Sequence, residues 1–235
     1  MKQNHCVRFC LWHEYADIFR NQSMDSHPVR REFLYTEKAA ARKELGLDER
    51  PVVMSAFGSQ GAMVMNQTMA ELFRLEKEAG FPYQHIHAVG SFGWEWMPKL
   101  VAEKGIDLAA DTAITMKEYL YNMPTVMAAA DVVISRAGAS TCNEIAASGT
   151  PCVLIPSPNV TDNHQEKNAR ALEKPGGAVV ILEKDCSAQK IFDEIKAIVD
   201  DPQKSGAMQK ALHSIVVPDS AERVCAIMEA LIKGK

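Results

Sequence analysis

Short, continuously apolar runs alternate with longer amphipathic segments from Pro51 to the end of the chain. Such runs are typical of parallel β-strands covered on both faces, because neither side of the strand meets water. The predicted strands are residues 52–57, 85–89, 131–135, 152–155 and 178–182.

Between these runs, apolar residues recur every three or four positions, which is the helical period. Glycine just after a helix, and Ser, Thr or Asp at its start, are favoured terminal residues. The predicted helices are residues 62–80, ending at Gly80; 140–149, opening with Ser140 and Thr141 and ending at Gly149; 163–174, with Asp162 as N-cap; 188–199; 202–214; and 220–232.

This alternation predicts an α/β fold with a doubly wound parallel sheet of the Rossmann type. Right-handed crossovers bring the carboxyl ends of the strands to one edge, and ligands bind there near the point where the strand order reverses. The first 27 residues lack the periodicity. We therefore expect an irregular segment over residues 1–27 and one domain over residues 28–235, for whose core a hydrophobic content of 47% is sufficient.

The net charge of the chain argues against some classes of binding partner. A net charge of -4 and a pI near 6.0, without a basic run, argue against a nucleic-acid-binding protein and against a polybasic membrane anchor. The six cysteines are scattered without zinc spacing, which is typical of reduced thiols in a cytoplasmic protein. No apolar stretch approaches the ~20 residues that span a bilayer. We expect a cytoplasmic protein for which peripheral membrane contact stays open.

The first candidate site is the segment AFGSQGA, where a predicted strand passes into a helix. Gly58 and Gly61 let a ligand approach the backbone, the helix start supplies free N–H groups and a positive dipole end, and Ser59 adds a hydroxyl donor. This combination suits a phosphate. The segment matches neither the dinucleotide-binding nor the Walker pattern. The alternative is a glycine turn that serves only strand–helix packing.

The second candidate site is the segment RAGAST, which also joins a predicted strand to a helix. Its backbone donors come from Gly138, Ala139, Ser140 and Thr141. Glu144 lies one turn further on, where its carboxylate could accept hydrogen bonds from the vicinal hydroxyls of a ribose. The alternative is a capping box in which Glu144 reaches back to the helix start. Two such helix starts at neighbouring strand ends would suit a nucleoside diphosphate.

Two further segments could complete such a site. His164 and Gln165 stand at a predicted helix start, and an amide such as that of Gln165 can read sugar hydroxyls. A role for His164 as catalytic base lacks a carboxylate to orient the ring. Tyr119, Leu120 and Met123 precede another helix and could wall a base pocket, with the Leu120 backbone reading the ring edge. Core packing is the alternative at this spacing.

Four segments, in order, resemble the MurG family of peptidoglycan N-acetylglucosaminyltransferases. They are HPVRREF, FGSQGAMVMNQTM, VISRAGASTCNEIAASGTPCVLIPSP and DNHQEKNARALE, and the resemblance runs from about Pro28 to the C-terminus. It implies the C-terminal, donor-binding half of a two-domain, inverting GT-B glycosyltransferase. That family transfers N-acetylglucosamine (GlcNAc) from UDP-GlcNAc to the lipid-linked acceptor lipid I. Lipid II and UDP are the products, and no metal or other cofactor is needed.

The same resemblance implies roles for individual residues. Ser59 contacts the donor diphosphate with Arg30 beside it, Leu120 binds uracil through its backbone, residues 139–144 form the phosphate and sugar turn with Glu144 on the ribose, and Gln165 holds the GlcNAc hydroxyls. The family's acceptor half and its glycine-rich loop have no counterpart in the sequence. No catalytic base is therefore identified, and residues 1–27 are expected to be a remnant of the interdomain region.

Three functions stay open. The chain could be a truncated lipid II-forming enzyme at the inner face of the plasma membrane, the donor-binding subunit of a split transferase, or a UDP-sugar-binding module without transferase activity. A UDP-GlcNAc 2-epimerase shares the scaffold, but the RAGAST and DNHQ segments follow the transferase pattern more closely.

Overall fold

The computed structural model describes residues 28–233, so the irregular segment expected over residues 1–27 lies outside the described residues. The helices are α1 (Glu32–Tyr35), α2 (Lys38–Glu44), α3 (Met63–Glu78), α4 (Met97–Glu103), α5 (Met123–Ala129), α6 (Ala139–Ser148), α7 (His164–Glu173), α8 (Ala188–Val199), α9 (Pro202–His213) and α10 (Ser220–Ile232). The strands are β1 (Val52–Ala56), β2 (Gln84–Ala88), β3 (Ile114–Lys117), β4 (Val132–Ser135), β5 (Cys152–Leu154) and β6 (Ala178–Val180).

The strands form one parallel sheet in the order β3-β2-β1-β4-β5-β6. The chain moves outward from β1 to β3, crosses to the other side of β1, and moves outward again to β6. This reversal places the topological switch point between β1 and β4, where Ala56 lies opposite Ser135. The predicted doubly wound parallel sheet is confirmed.

Helices cover both faces of the sheet, as the continuously apolar strands predict. One face packs against α3, α4 and α8 through side chains such as Phe73 and Ile195. The other packs against α1, α5, α6 and α7 through side chains such as Phe33 and Ile145. None of the described helices combines the length and apolar character that crossing a bilayer requires.

A buried polar cluster interrupts the apolar core on the α3 side. Ser55 Oγ lies 2.8 Å from His85 Nε2 and 2.7 Å from His87 Nδ1. His85 Nδ1 lies 2.8 Å from Glu76 Oε1. All four side chains are buried. The cluster joins β1, β2 and α3 by hydrogen bonds rather than by apolar contact.

The sequence did not predict β3, α1, α2 or α4. β3 is a short edge strand in which Ile114 is buried while Thr115 and Lys117 are exposed. Such a strand lacks the continuous apolar run on which the prediction relied. α4 follows two tryptophans and has a proline in its first turn, and its seven residues give the helical period too few positions to be recognised.

Two helix starts differ from the prediction. α6 begins at Ala139 with Gly138 as N-cap, so Ser140 and Thr141 lie inside its first turn. α7 has Asn163 as N-cap, and Asp162 belongs to the preceding 3-10 turn. Both residues have left-handed φ values, 54° at Asp162 and 51° at Asn163, which residues other than glycine adopt rarely. The helix-ending glycines are confirmed, with φ of 78° at Gly80 and 67° at Gly149.

Candidate functional site

The loops after β1, β4 and β5 start side by side, because these three strands are neighbours in the sheet. They are the β1–α3 loop (residues 57–62), the β4–α6 loop (136–138) and the β5–α7 loop (155–163). Neighbouring strands lie about 4.8 Å apart. The two glycine-rich segments therefore leave one edge of the sheet at the switch point, where ligands bind in this class of fold.

The two glycines of the β1–α3 loop serve different purposes. Gly61 has φ of 78°, and a Cβ built on it would lie 2.1 Å from the carbonyl oxygen of Val89. Gly61 is thus required for packing, as the alternative interpretation held. Gly58 has φ of 90°, and no atom lies within 4 Å of its Cβ position. Its backbone is open to a ligand, and Ser59 beside it is exposed.

The β4–α6 loop presents an open helix start. α6 has no side-chain cap, and its first helical hydrogen bond runs from Cys142 N–H to Gly138 C=O. The N–H groups before Cys142 therefore have no helical partner. Gly138 has φ of -64°, and a Cβ there would meet only Thr141 Oγ1, at 3.7 Å. Neither the backbone nor the packing requires glycine here, so its effect is to keep the helix start accessible.

The position of Glu144 contradicts the capping-box interpretation. Glu144 lies beyond the first turn of α6, and its carboxylate makes no hydrogen bond or ion pair within residues 28–233. Burial raises the pKa of Glu144, and the positive charge of Arg30 partly offsets that effect. The Arg30 guanidinium itself lies 5.1 Å from the ring centroid of Phe33. The structure thus brings a half-buried, unpaired carboxylate close to an exposed cation.

The rest of the β4–α6 loop is held in place by polar side chains. Arg136 donates to the carbonyl of Ile155 at 3.1 Å and also pairs with Glu183. Asn168, on α7, donates through Nδ2 to the carbonyl of Ala137 at 3.0 Å. The Arg136 guanidinium is therefore bonded to groups within the protein, although its place in the segment RAGAST would suit an anion-binding residue.

The two polar residues at the start of α7 each use one side-chain atom in a hydrogen bond within the protein. Gln165 Oε1 accepts a hydrogen bond from the Ser157 N–H at 2.9 Å. Its acceptor therefore holds the β5–α7 loop, and its NH₂ group is left for a ligand. His164 Nδ1 donates to the carbonyl of Thr161 at 2.9 Å. That hydrogen bond goes to a backbone carbonyl, and no carboxylate pairs with the ring among the described residues.

Leu120 is a core residue through its side chain, which is buried in one cluster with side chains of α1 and α6. The core-packing alternative is correct for that side chain, and only its backbone is left to read a ligand. Tyr119 and Tyr121, on either side, are 45% and 87% exposed, with ring centroids 5.0 Å apart. The shared cluster places Leu120 on the α6 side of the sheet, although it follows the edge strand β3.

The sequence interpretation did not single out Arg136, Asn168 or Asn66, which hold these loops. Asn66 carried a signal, because it is a polar residue within the buried stripe of α3. Arg136 and Asn168 carried none, because their partners belong to segments that only the fold brings near.

Comparisons with known proteins show what this domain is similar to. Residues 52–224 match the family model described as glycosyltransferase family 28 C-terminal domain. A curated relative from Acetivibrio thermocellus is named UDP-N-acetylglucosamine--N-acetylmuramyl-(pentapeptide) pyrophosphoryl-undecaprenol N-acetylglucosamine transferase. It is 39% identical over 210 residues, which cover 89% of this chain and 55% of that protein. The chain thus spans about half the length of this relative.

Solved structures share the fold at low sequence identity. Acinetobacter baumannii MurG matches with a TM-score of 0.67 and 20% identity, over 86% of this chain and 57% of that chain. A putative UDP-N-acetylglucosamine 2-epimerase from Listeria monocytogenes matches with a TM-score of 0.59 and 13% identity, over 83% and 47%. The predicted fold, one half of a GT-B glycosyltransferase, is confirmed. Because the family model covers most of the sequence, the chain belongs to glycosyltransferase family 28, of which it carries the C-terminal domain.

Proposed function

We propose that this chain binds UDP-GlcNAc and forms the donor half of an inverting N-acetylglucosaminyltransferase that converts lipid I to lipid II. The observation that carries the proposal is the meeting of two helix starts, those of α3 and α6, at the switch point beside Glu144, whose carboxylate has no partner within residues 28–233. The name of the Acetivibrio thermocellus relative supports this choice of donor and acceptor.

In the proposed complex, the diphosphate lies between the β1–α3 loop and the start of α6. The Ser59 hydroxyl, the accessible backbone at Gly58 and Gly138, and the N–H groups of Ala139, Ser140 and Thr141 donate to its oxygens. Arg30 adds a full positive charge. Helix starts and a guanidinium offset the charge of a diphosphate, so this binding mode needs no metal ion.

The remaining proposed contacts are with the nucleoside and the GlcNAc sugar. Glu144 accepts hydrogen bonds from the ribose hydroxyls, which gives its half-buried carboxylate the partners that it lacks within residues 28–233. The Leu120 backbone reads the uracil edge. Gln165 contacts a GlcNAc hydroxyl through its NH₂ group, while its oxygen accepts from the Ser157 N–H.

During transfer, the acceptor hydroxyl oxygen forms a bond to the anomeric carbon from the face opposite UDP. The bond from that carbon to the diphosphate breaks, UDP leaves with the electron pair, and the hydroxyl proton passes to a base. The residues named above bind the donor and stabilise the charge that develops on the leaving diphosphate. We assign the acceptor site and the base to a second domain or subunit, because the chain spans about half of its relative. A lipid-linked acceptor and a UDP-sugar donor would meet at the inner face of the plasma membrane.

Calorimetry with UDP-GlcNAc, UDP and ADP tests donor binding by the purified chain. We expect it to bind UDP-GlcNAc and UDP and to discriminate against ADP. Absence of uridine-nucleotide binding would contradict the proposal.

Transfer to a lipid I analogue is then assayed with the chain alone and with added acceptor-binding half of the Acetivibrio thermocellus relative. We expect no turnover by the chain alone and turnover by the mixture. Turnover by the chain alone would disprove the need for a second half. Donor binding without turnover in either assay would favour a UDP-sugar-binding module.

A further inference from the structure

We propose that Asn66, on the first turns of α3, is a positioning residue for the diphosphate. Its side-chain amide locks the β1–α3 loop against the β2–α4 loop (residues 89–96) and so sets the direction of the backbone N–H groups that meet the phosphates. The inference rests on the proposed function, because it concerns the same site, but it assigns Asn66 no contact with the donor.

The Asn66 amide lies at the junction of the two loops. Its Nδ2 donates to the carbonyl oxygen of Val89, just after β2, at 2.9 Å. A Cβ built on Gly61 would lie 3.4 Å from that Nδ2, and a Cβ built on Gly93 would lie 2.3 Å from it. The amide therefore fits between one glycine of each loop, in space that a side chain on either glycine would reduce.

Backbone contacts extend the same junction. The Ser91 N–H donates to the Ser59 carbonyl and the Phe92 N–H donates to the Gln60 carbonyl, each at 3.2 Å. A Cβ on Gly90 would lie 2.1 Å from the Gly61 nitrogen. The segment that carries Ser59 is therefore supported along its length by the β2–α4 loop, and a shift of one loop moves the other.

Only half of the buried Asn66 amide is satisfied. The residue is 1% exposed, and its Oδ1 has no hydrogen-bond partner within residues 28–233. Burial of an unpaired acceptor is unfavourable and offsets part of what the Nδ2 hydrogen bond contributes to stability. What the amide provides is its Nδ2 hydrogen bond, which joins α3 to the end of β2.

The consequence for binding is confined to the diphosphate. Asn66 sits on the helix whose start follows the loop, so the amide holds the loop and the helix start against one fixed carbonyl. Charge-assisted hydrogen bonds from N–H groups depend on direction, and a small rotation of the loop weakens them. The uracil contact proposed for Leu120 lies after β3 and the ribose contact proposed for Glu144 lies on α6, whereas the Asn66 amide bonds to the end of β2. Both contacts are expected to keep their geometry.

The test is Asn66→Leu, with dissociation constants measured for uridine by ligand-observed NMR and for UDP by calorimetry. The dissociation constant of uridine divided by that of UDP isolates the contribution of the diphosphate. We expect this ratio to fall by about 10- to 100-fold, as expected for lost hydrogen bonds to charged groups. Affinity for uridine stays close to that of the parent chain. The melting temperature is expected to fall, because the buried Val89 carbonyl loses its donor, and a second variant controls for a loss of stability alone.

Two further variants separate positioning from folding. Met69→Ala opens a cavity on the same buried stripe and is expected to lower the melting temperature without changing the ratio. Gly93→Ala places a Cβ against the amide from the opposite loop and is expected to lower the ratio as Asn66→Leu does. Should Asn66→Leu fail to fold, Gly93→Ala and the shorter Asn66→Ser carry the same expectation.

An unchanged ratio in the variants that fold would overturn the inference, and so would equal losses of uridine and UDP affinity. A parent chain that binds neither ligand would instead overturn the proposed function. The two failures are therefore distinguishable.

Discussion

At the scale of single residues, glycines that look alike in the sequence have different roles, and the room around the missing Cβ separates them. Gly61 has a carbonyl oxygen where its Cβ would be, whereas Gly138 has ordinary van der Waals space and a φ that any residue adopts. Gly61 is therefore a requirement of loop packing. Neither loop packing nor backbone conformation requires glycine at Gly138.

Gly61→Ala and Gly46→Ala form a matched pair. Both glycines have left-handed φ, 78° and 66°, but no atom lies within 4 Å of the Gly46 Cβ position. Gly46→Ala is expected to cost about 1–2 kcal/mol of unfolding free energy for the backbone conformation. Gly61→Ala should cost about 1–3 kcal/mol more, because the new Cβ overlaps the Val89 carbonyl. Urea denaturation of both variants measures the difference, and equal losses would show that Val89 moves aside at little cost.

Glu144→Gln separates function from stability at one position. Burial raises the pKa of Glu144, so its ionisation at neutral pH opposes folding, and this unfavourable effect is present above the ordinary pKa of the carboxyl. The neutral variant is therefore expected to be at least as stable as the parent at pH 7. Its affinity for UDP should fall by about 1–3 kcal/mol, because charged hydrogen bonds to ribose are lost. Calorimetry and thermal unfolding measure the two effects, and unchanged affinity would remove Glu144 from the site.

At the scale of elements, the helix starts differ in how their N–H groups are satisfied. Ser187 caps α8 by accepting from the Lys190 N–H, and Asp201 caps α9 by accepting from the N–H groups of Gln203 and Lys204. The helices α1 to α7 have no side-chain cap. Among these, α3 and α6 are the two that follow the strands at the switch point, and the proposed function uses their free N–H groups.

One carboxylate makes several of the polar links between α2 and the sheet. Asp131 accepts from Lys38 Nζ at 2.5 Å, from Arg42 at 3.3 Å and from the Val52 N–H at 2.7 Å. Asp131→Ala leaves that N–H, at the start of β1, without its acceptor and releases Lys38, whereas Arg42 keeps its hydrogen bonds to the carbonyls of Asp48 and Arg50. We expect the free energy of unfolding, measured by urea denaturation, to fall by about 1–3 kcal/mol.

Asp200→Ala is the control for this prediction, because Asp200 pairs only with Lys196 on an exposed face within the described chain. This control variant should lose less than about 0.5 kcal/mol of unfolding free energy. Similar losses in the two variants would contradict the role of Asp131 as a link between α2 and the sheet.

At the scale of the whole molecule, the buried cluster of Glu76, His85, Ser55 and His87 makes stability depend on pH. The Glu76 carboxylate accepts from His85 Nδ1–H. If His85 is neutral, its Nε2 accepts from the Ser55 hydroxyl, whose oxygen then accepts from His87 Nδ1–H. His87 Nε2 is left as a bare lone pair without a partner in residues 28–233. Protonation there would create a buried, unpaired charge.

Stability is accordingly expected to fall in mild acid. Burial is the largest cause that lowers the pKa of His87 to about 3. Between that value and the ordinary pKa of about 6.5, the unfolded chain binds a proton that the folded chain does not. Stability from His87 is therefore complete above about pH 6.5 and is lost as pH decreases, by about 2 kcal/mol at pH 5.

His87→Asn, which keeps a polar group for Ser55, should remove this slope between pH 7 and pH 5. Denaturation in urea at several pH values measures it. Parallel curves for parent and variant would place the pH dependence elsewhere in the molecule.

Much of the fold could be predicted because its signals are local. Strand burial shows as continuous apolar runs, which located β1, β2, β4, β5 and β6 within two residues, and α8 and α10 were predicted with their observed bounds. β3 was missed because an edge strand is exposed on alternate residues. The first turn of α7 was placed wrongly because two left-handed residues, Asp162 and Asn163, replace the expected Asp162 cap.

By itself, the sequence determined the class of fold, the helix starts that meet at the strand ends, and the family, since each of these depends on residues close together along the chain. The tertiary structure decided which glycine packs and which is open, that Arg136 is bound to Glu183, and that Glu144 has no partner among the residues that the structure describes. It also decided that the Asn66 amide lies between two loops. These properties depend on contacts between segments that are far apart in the chain, and a local sequence pattern does not show which distant segments come into contact.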